Sequence, residues 1–239
     1  MDNYNTDQFE KDLSSLDIHL SNQQIEQFLL YYEMLVEQNK VMNLTGITDF
    51  DEVLKKHFID SLSLVKACDL SHDLFLIDVG TGAGFPGIPL KIAFPNLSIT
   101  LLDSLNKRVY FLKTVMSKLG LRGIEAIHGR AEDFAKHTMR EKYDICVSRA
   151  VANLSTLSEY CLPFVKRGGL FISYKSEKIF EEMSAAGNAI SLLGGKLKEQ
   201  VEFMLPDSDI YRNLFVIEKI RETPKKYPRK AGLPSKEPL

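Results

Sequence analysis

From residue 74 onward, apolar runs of about five residues alternate with stretches carrying a helical period, and few architectures accommodate that rhythm. The runs 74–79, 98–102, 124–128, 143–147 and 170–174 read as strands. The runs 88–94, 106–119, 154–165 and 180–193 read as helices among them. Strand-then-helix alternation predicts a parallel sheet covered by helices on both faces. Two further β-prone runs, 196–205 and 213–220, are separated only by a short loop holding Pro206, Asp207 and Asp209. So short a loop joins antiparallel neighbours, because a parallel crossover needs roughly a dozen residues or more.

An α/β, Rossmann-like, seven-stranded mixed sheet with its last strand antiparallel is the arrangement of class I methyltransferases. Dinucleotide-binding sheets do not usually finish this way. Ahead of the sheet, residues 1–70 read as a helical extension. Ile25, Phe28, Leu29, Tyr32, Leu35 and Val36 form one apolar stripe. Ser21, with Gln24 three positions on, suits a capping box. After Thr45-Gly46-Ile47-Thr48 a second helix is expected over 50–67. The chain divides into 1–70, a sheet domain at 71–221, and a Pro/Lys-rich tail at 222–239. From Lys219 onward that tail has seven basic residues against two acidic. Its composition reads as a solvated, disordered end.

The chain's net charge of −2 gives no global attraction to polyanions, so any nucleic-acid contact must come from basic residues gathered locally. Cys68, Cys146 and Cys161 show no metal-ligand or disulfide spacing, which suits a reducing, cytoplasmic setting and no metal. No apolar run approaches the ~20 residues of a membrane span, and no signal peptide is expected.

The chemistry centres on Ile77-Asp78-Val79-Gly80-Thr81-Gly82-Ala83-Gly84-Phe85-Pro86-Gly87, where an apolar strand runs into alternating glycines and then a helix. Glycines there let backbone approach a ligand closely. A dinucleotide turn spaces its glycines G-x-G-x-x-G, to seat a pyrophosphate on the helix. The G-x-G-x-G spacing instead suits a donor without phosphate, S-adenosylmethionine. Asp103, at the end of the second strand, is placed to accept from ribose hydroxyls, or to cap the helix near Asn106.

Ligands of open α/β sheets bind beyond the carboxyl ends of the strands. Arg130, Arg149 and Lys175 follow the third, fourth and fifth strands and are expected to converge there, facing phosphate. For any one of them, pairing with Asp78, Asp103 or Glu132 is an equal expectation. There is no Asn/Asp-Pro-Pro-Tyr/Phe motif for exocyclic amines, and no proline-flanked cysteine nucleophile. Such a site suits an acceptor with a free lone pair, such as guanine N7, whose methylation needs positioning rather than deprotonation.

Met42-Asn43-Leu44-Thr45, His57-Phe58-Ile59-Asp60-Ser61-Leu62, Asp78 to Pro86, Asp103-Ser104, Lys107-Arg108, Arg130-Ala131-Glu132, Ser148-Arg149-Ala150 and Tyr227 to Pro234 span nearly the whole chain. In these segments the sequence resembles the RsmG (GidB) family, bacterial methyltransferases of guanine N7 in 16S ribosomal RNA. The resemblance implies that Gly80, Gly82, Phe85, Ala131, Glu132 and Arg149 bind S-adenosylmethionine and that Asp103 takes the ribose. It also implies that Arg130, Arg149 and Lys175 hold the target nucleotide and that the basic tail helps grip RNA. His57 and Asp60 are read as fastening the cofactor pocket. The expected partner is 16S RNA or the small subunit, met by a monomer. Alternatives are a methyltransferase acting on another RNA or a protein, an NAD(P)-dependent oxidoreductase, or a catalytically silent RNA-binding module.

Overall fold

A computed structural model describes residues 4–149, 152–176 and 180–239. The alternation becomes seven strands: β1 (Phe75–Val79), β2 (Ser98–Asp103), β3 (Ile124–His128), β4 (Tyr143–Ser148), β5 (Val165–Lys175), β6 (Gly195–Met204) and β7 (Tyr211–Lys219). They lie in the order β3-β2-β1-β4-β5-β7-β6. Pairings from β3 through β5 are parallel, and β7 runs antiparallel between β5 and β6, as the short 205–210 connection requires. β1 and β2 are buried almost throughout, the signature of parallel strands covered on both faces.

The helices are α1 (Asp7–Ser14), α2 (Asn22–Met42), α3 (Phe50–Val53), α4 (Asp60–Leu62), α5 (Gly87–Ala93), α6 (Asn106–Lys118), α7 (Ala131–Phe134), α8 (Leu154–Cys161), α9 (Phe180–Leu192) and α10 (Leu233–Lys236). At the start of α2 the capping box forms. The Gln24 N–H reaches the Ser21 hydroxyl, and the Ser21 N–H reaches the Gln24 side chain at 2.8 Å. Phe28, Tyr31 and Leu35, spaced as one helical face, bury completely. They share one core with Phe9, Phe58, Leu76, Leu101 and Ile172. α2 packs on α5 and α6, which in turn cover the sheet. A second core on the other sheet face gathers Ile77, Cys146, Leu154, Phe164, Phe171 and Ile217.

Three expectations change. The helical stretch expected over 50–67 is present but irregularly wound: α3 passes without a gap into a π-helical turn (Leu54–Ile59), then α4, then a 3₁₀ turn (Ser63–Lys66). The hydroxyls of Ser61 and Ser63 donate back to the carbonyls of His57 and Asp60 at 2.5 and 2.6 Å, a contact that bends helices. The helix expected over 154–165 ends at Cys161, because Pro163 cannot continue it. A 3₁₀ turn (Leu162–Phe164) then leads into β5, which starts at Val165 rather than 170.

The tail is not a loose end. Tyr227 and Pro228 are buried, and the Arg140 guanidinium donates to the carbonyls of Thr223 and Tyr227. Arg229 forms a fork with Glu159 at 2.7–3.0 Å, and Thr156 donates to the Pro234 carbonyl at 3.0 Å. Polar backbone pairing holds the tail where apolar periodicity is missing. Among the described residues no helix is long and apolar enough to cross a membrane.

Candidate cofactor and substrate site

The loop after β1 is tied down from three sides. Asp78 is fully buried, and its Oδ2 accepts from the Thr81 hydroxyl at 2.6 Å and the Gly87 N–H at 2.9 Å. Among the described residues its Oδ1 has no hydrogen-bond partner, and burial pushes the carboxyl up to about 6. Gly87 is required here, since a Cβ would stand 2.2 Å from the Leu101 side chain and 3.0 Å from Asp78 Oδ2. From the N-terminal side, the buried Tyr31 hydroxyl donates to the Ala83 carbonyl at 2.6 Å. Gly82 sits at φ +63°, donates its N–H to Asp103 Oδ2 at 2.9 Å, and faces open space where a Cβ would point. Gly80 is also left-handed, at φ +75°.

Asp103, at the end of β2, is 3 % exposed. Its Oδ1 accepts the Leu105 N–H at 2.9 Å, and Arg108 lies 3.5 Å from Oδ2. Each oxygen thus has one N–H donor and retains a lone pair, which fits two hydroxyls of a ribose. The carboxylate therefore shapes the turn before α6 and still has acceptor capacity for a ligand.

After β4, Ser148 donates to the Val79 carbonyl at 2.8 Å, joining the β1 and β4 ends. Arg149 then reaches toward the N-terminal helices. Its Nη1 donates to Asp60 Oδ2 at 3.0 Å and to the Lys56 carbonyl at 3.3 Å, and its Nη2 meets His57 Nδ1 at 3.3 Å. The guanidinium carbon lies 4.9 Å from the centroid of the Phe85 ring, on which His57 also stacks at 4.6 Å. A guanidinium has only donors, so Nδ1 must accept and the proton sits on Nε2, facing the Thr45 hydroxyl at 2.8 Å. Burial, and next the Arg149 charge, lower the His57 imidazole to about 3, so it is neutral at physiological pH. Asp60 Oδ1 also takes the Arg212 Nε–H at 2.7 Å, making Asp60 a bridge between two arginines.

The remaining expected residues spread out. Ala131 and Glu132 are buried, and Glu132 accepts the Gly232 N–H of the tail at 2.8 Å. Arg130 is exposed, with Nη1 near Gly232. Lys175 bonds to Glu182 and to the Ala152 carbonyl, each at 2.8 Å. Among the described residues no ion pair is shared by Arg130, Arg149 and Lys175; Arg149 and Lys175 each have their own acid, and Arg130 has none. The acids expected as alternative partners are not the ones used: Arg149 takes Asp60 and Lys175 takes Glu182.

The model of the family described as GidB, rRNA small subunit methyltransferase G, matches residues 24–211. A ribosomal RNA small subunit methyltransferase G of Lachnoclostridium phytofermentans is 55% identical over 97% of this chain and 96% of its own length. That of Alkaliphilus metalliredigens is 56% identical over 94% of each chain. The chain belongs to the GidB family. Among solved structures, a SAM-dependent methyltransferase from Aquifex aeolicus superimposes with TM-score 0.53 at 18% identity, covering 72% of this chain and 95% of that one. M. jannaschii TYW2 in complex with AdoMet gives TM-score 0.51 at 16% identity over 63% and 71%. These likenesses establish the class I methyltransferase fold.

Within this GidB member the quoted motif segments meet in space. Thr45, His57, Asp60, Phe85 and Arg149 form one contact set, and Glu132 meets the tail. Sequence reasoning missed Tyr31, Glu159, Glu182 and Arg212. Tyr31 lay unremarked beside the apolar stripe, and nothing local in the sequence marks the other three, whose partners lie far away in the chain.

Proposed function

We propose that this chain methylates the N7 of a guanosine in 16S ribosomal RNA, using S-adenosylmethionine, as a cytoplasmic monomer. The observation that carries the reading is the match of the GidB family model across the motif segments that cluster at the carboxyl ends of β1, β2 and β4. Bound there, S-adenosylmethionine supplies an electrophilic methyl group on a sulfonium. Gly80 and Gly82 give its methionine part an open turn, Asp103 receives the ribose, and Ala131 and Glu132 border the adenine side. Phe85 is almost wholly buried, so its part is mainly to support Arg149. Arg149 faces the reacting groups, while Arg130 and Lys175 meet the RNA backbone, Lys175 by exchanging Glu182 for phosphate.

Among the described residues no cysteine is placed to serve as a nucleophile. Cys146 and Cys161 are buried, and burial pushes the Cys68 thiol up to about 12. An acceptor nitrogen with its own lone pair needs no base, only alignment with the sulfonium. The division at 1–70, 71–221 and 222–239 is then one of roles: pocket fastening, donor binding and RNA contact.

Nucleoside mass spectrometry of ribosomal RNA from cells lacking the chain tests this reading. Loss of one 7-methylguanosine from the small subunit, restored by the gene, is expected. An unchanged nucleoside profile, or loss of a different modified base, would overturn it.

A further inference from the structure

We propose that Asp60 and Arg212 are positioning residues that make Arg149 a pre-oriented oxyanion site at the strand-end cleft. The oxyanion is the carboxylate of the donor's methionine part or a phosphate of the RNA. The inference rests on Arg149 facing ligand in the function proposed above.

Arg149 has five N–H donors. Three are committed, to the Lys56 carbonyl, Asp60 and His57. Nε–H and the second Nη2–H have no hydrogen-bond partner among the described residues. The committed donors fix the guanidinium plane over Phe85, so the other two present a fixed pair of donors. A fork fixed in this way suits an oxyanion and loses little freedom on binding.

Charge bears on what Arg212 adds. Asp60 stands between two guanidiniums beside a neutral imidazole, and the buried Asp78 carboxyl acts on Arg149 from the β1 side. The Asp60, Arg149 and Arg212 side chains are 5%, 18% and 15% exposed, so water screens them little. With Arg212 on Oδ1, Asp60 divides its charge between two partners and holds Arg149 without cancelling it. Without Arg212, the whole Asp60 charge falls on Arg149.

The competing view is that Arg212–Asp60 merely docks the N-terminal segment on the β6–β7 hairpin. Other contacts already do that. Lys55 bonds to Asp12 and, at 2.6 Å, to the Pro206 carbonyl, and Gln8 reaches Asp207 at 3.2 Å. The Tyr174 hydroxyl donates to the Ser61 carbonyl at 2.9 Å. Lys55→Met is therefore the control, because it weakens docking on the same hairpin without touching Arg149.

The test titrates the full chain with S-adenosylmethionine and with 5′-methylthioadenosine, which lacks the carboxylate. It also measures KM and kcat for methyl transfer to unmodified small subunits. If the donor's carboxylate is the oxyanion, Arg212→Met weakens S-adenosylmethionine binding about tenfold and spares methylthioadenosine. If RNA phosphate is the oxyanion, KM for the subunit rises about tenfold and the donor Kd stays put. In either case Arg212→Lys recovers most of the loss, Asp60→Asn reproduces or exceeds it, and Lys55→Met changes each quantity less than about twofold. Arg212→Met within twofold of wild type in Kd and KM, or an equal loss in Lys55→Met, would overturn the proposal. A wild-type chain that methylates no RNA would defeat the function proposed above, while the two titrations would still decide the role of Arg212.

Discussion

The two ends of the chain brace different parts of the sheet domain: the N-terminal segment holds the loops after β1 and β4, and the tail holds the loop after β3, α8 and the turn entering β4. The N-terminal segment does it with side chains: Tyr31 on the Ala83 carbonyl, His57 on Phe85, and Asp60 on Arg149. Behind these contacts Phe58 sits among Phe9, Phe28, Tyr31 and Phe85. The C-terminal tail uses its backbone and one charged fork: the Gly232 N–H on Glu132, the carbonyls of Thr223 and Tyr227 on Arg140, and the Arg229 side chain on Glu159. An aromatic cluster lies behind the polar contacts of the first region, whereas the second sets polar pairing around a smaller buried group of Tyr227, Pro228 and Pro234. Their responses to substitution should therefore differ in kind.

The largest effect is expected from emptying the aromatic cluster. Phe58→Ala should destabilise the chain by about 3–5 kcal/mol in urea unfolding, since Phe58 is fully buried. A loss below about 1 kcal/mol would mean the N-terminal segment is not part of the cooperative core. Next comes Arg149→Ala, expected to abolish methyl transfer with the fold intact, at least ~2–3 kcal/mol of transition-state stabilisation. Wild-type turnover would remove Arg149 from the site.

On the tail side, Glu159→Gln keeps the shape but removes the charge from the Arg229 fork. A cost of about 1–2 kcal/mol is expected, with amide exchange accelerated over 227–234 and unchanged in α2. Equal acceleration in both regions would erase the distinction between them.

The smallest effect is a pair of opposed pH slopes. Folding raises Asp78 from 3.8 to about 6, so its contribution is lost as pH climbs between those values. Folding lowers His57 from 6.5 to about 3, so its contribution is lost as pH falls through that window. Between pH 4 and 6 the two slopes oppose each other. His57→Gln should expose stability that declines with rising pH, and Asp78→Asn stability that climbs. Parallel shifts of the wild-type pH profile in both variants would contradict this.

Legibility in the sequence followed the same division. The sheet, its antiparallel finish and the Ser21–Gln24 box were readable because strand period, loop length and capping chemistry are local. The family was readable because its motifs are long. The pairing of Arg149 with Asp60 and of Lys175 with Glu182 was not, since a charge does not announce which distant acid it will meet. The tail's packing escaped for another reason: most of its anchors are N–H and carbonyl groups, which every residue carries except proline at the N–H, and Arg229 meets an acid 70 residues away. The irregular winding over 50–66 was hidden because its apolar residues keep a helical spacing while serine hydroxyls bend the backbone.

Calorimetric titration of the purified full chain with S-adenosylmethionine tests most directly whether the strand-end loops form a donor site. One saturable site is predicted, lost when Asp103 is replaced by alanine while the melting transition survives. Absence of heat at any workable concentration and temperature, or unchanged binding in the Asp103→Ala chain, would contradict the account.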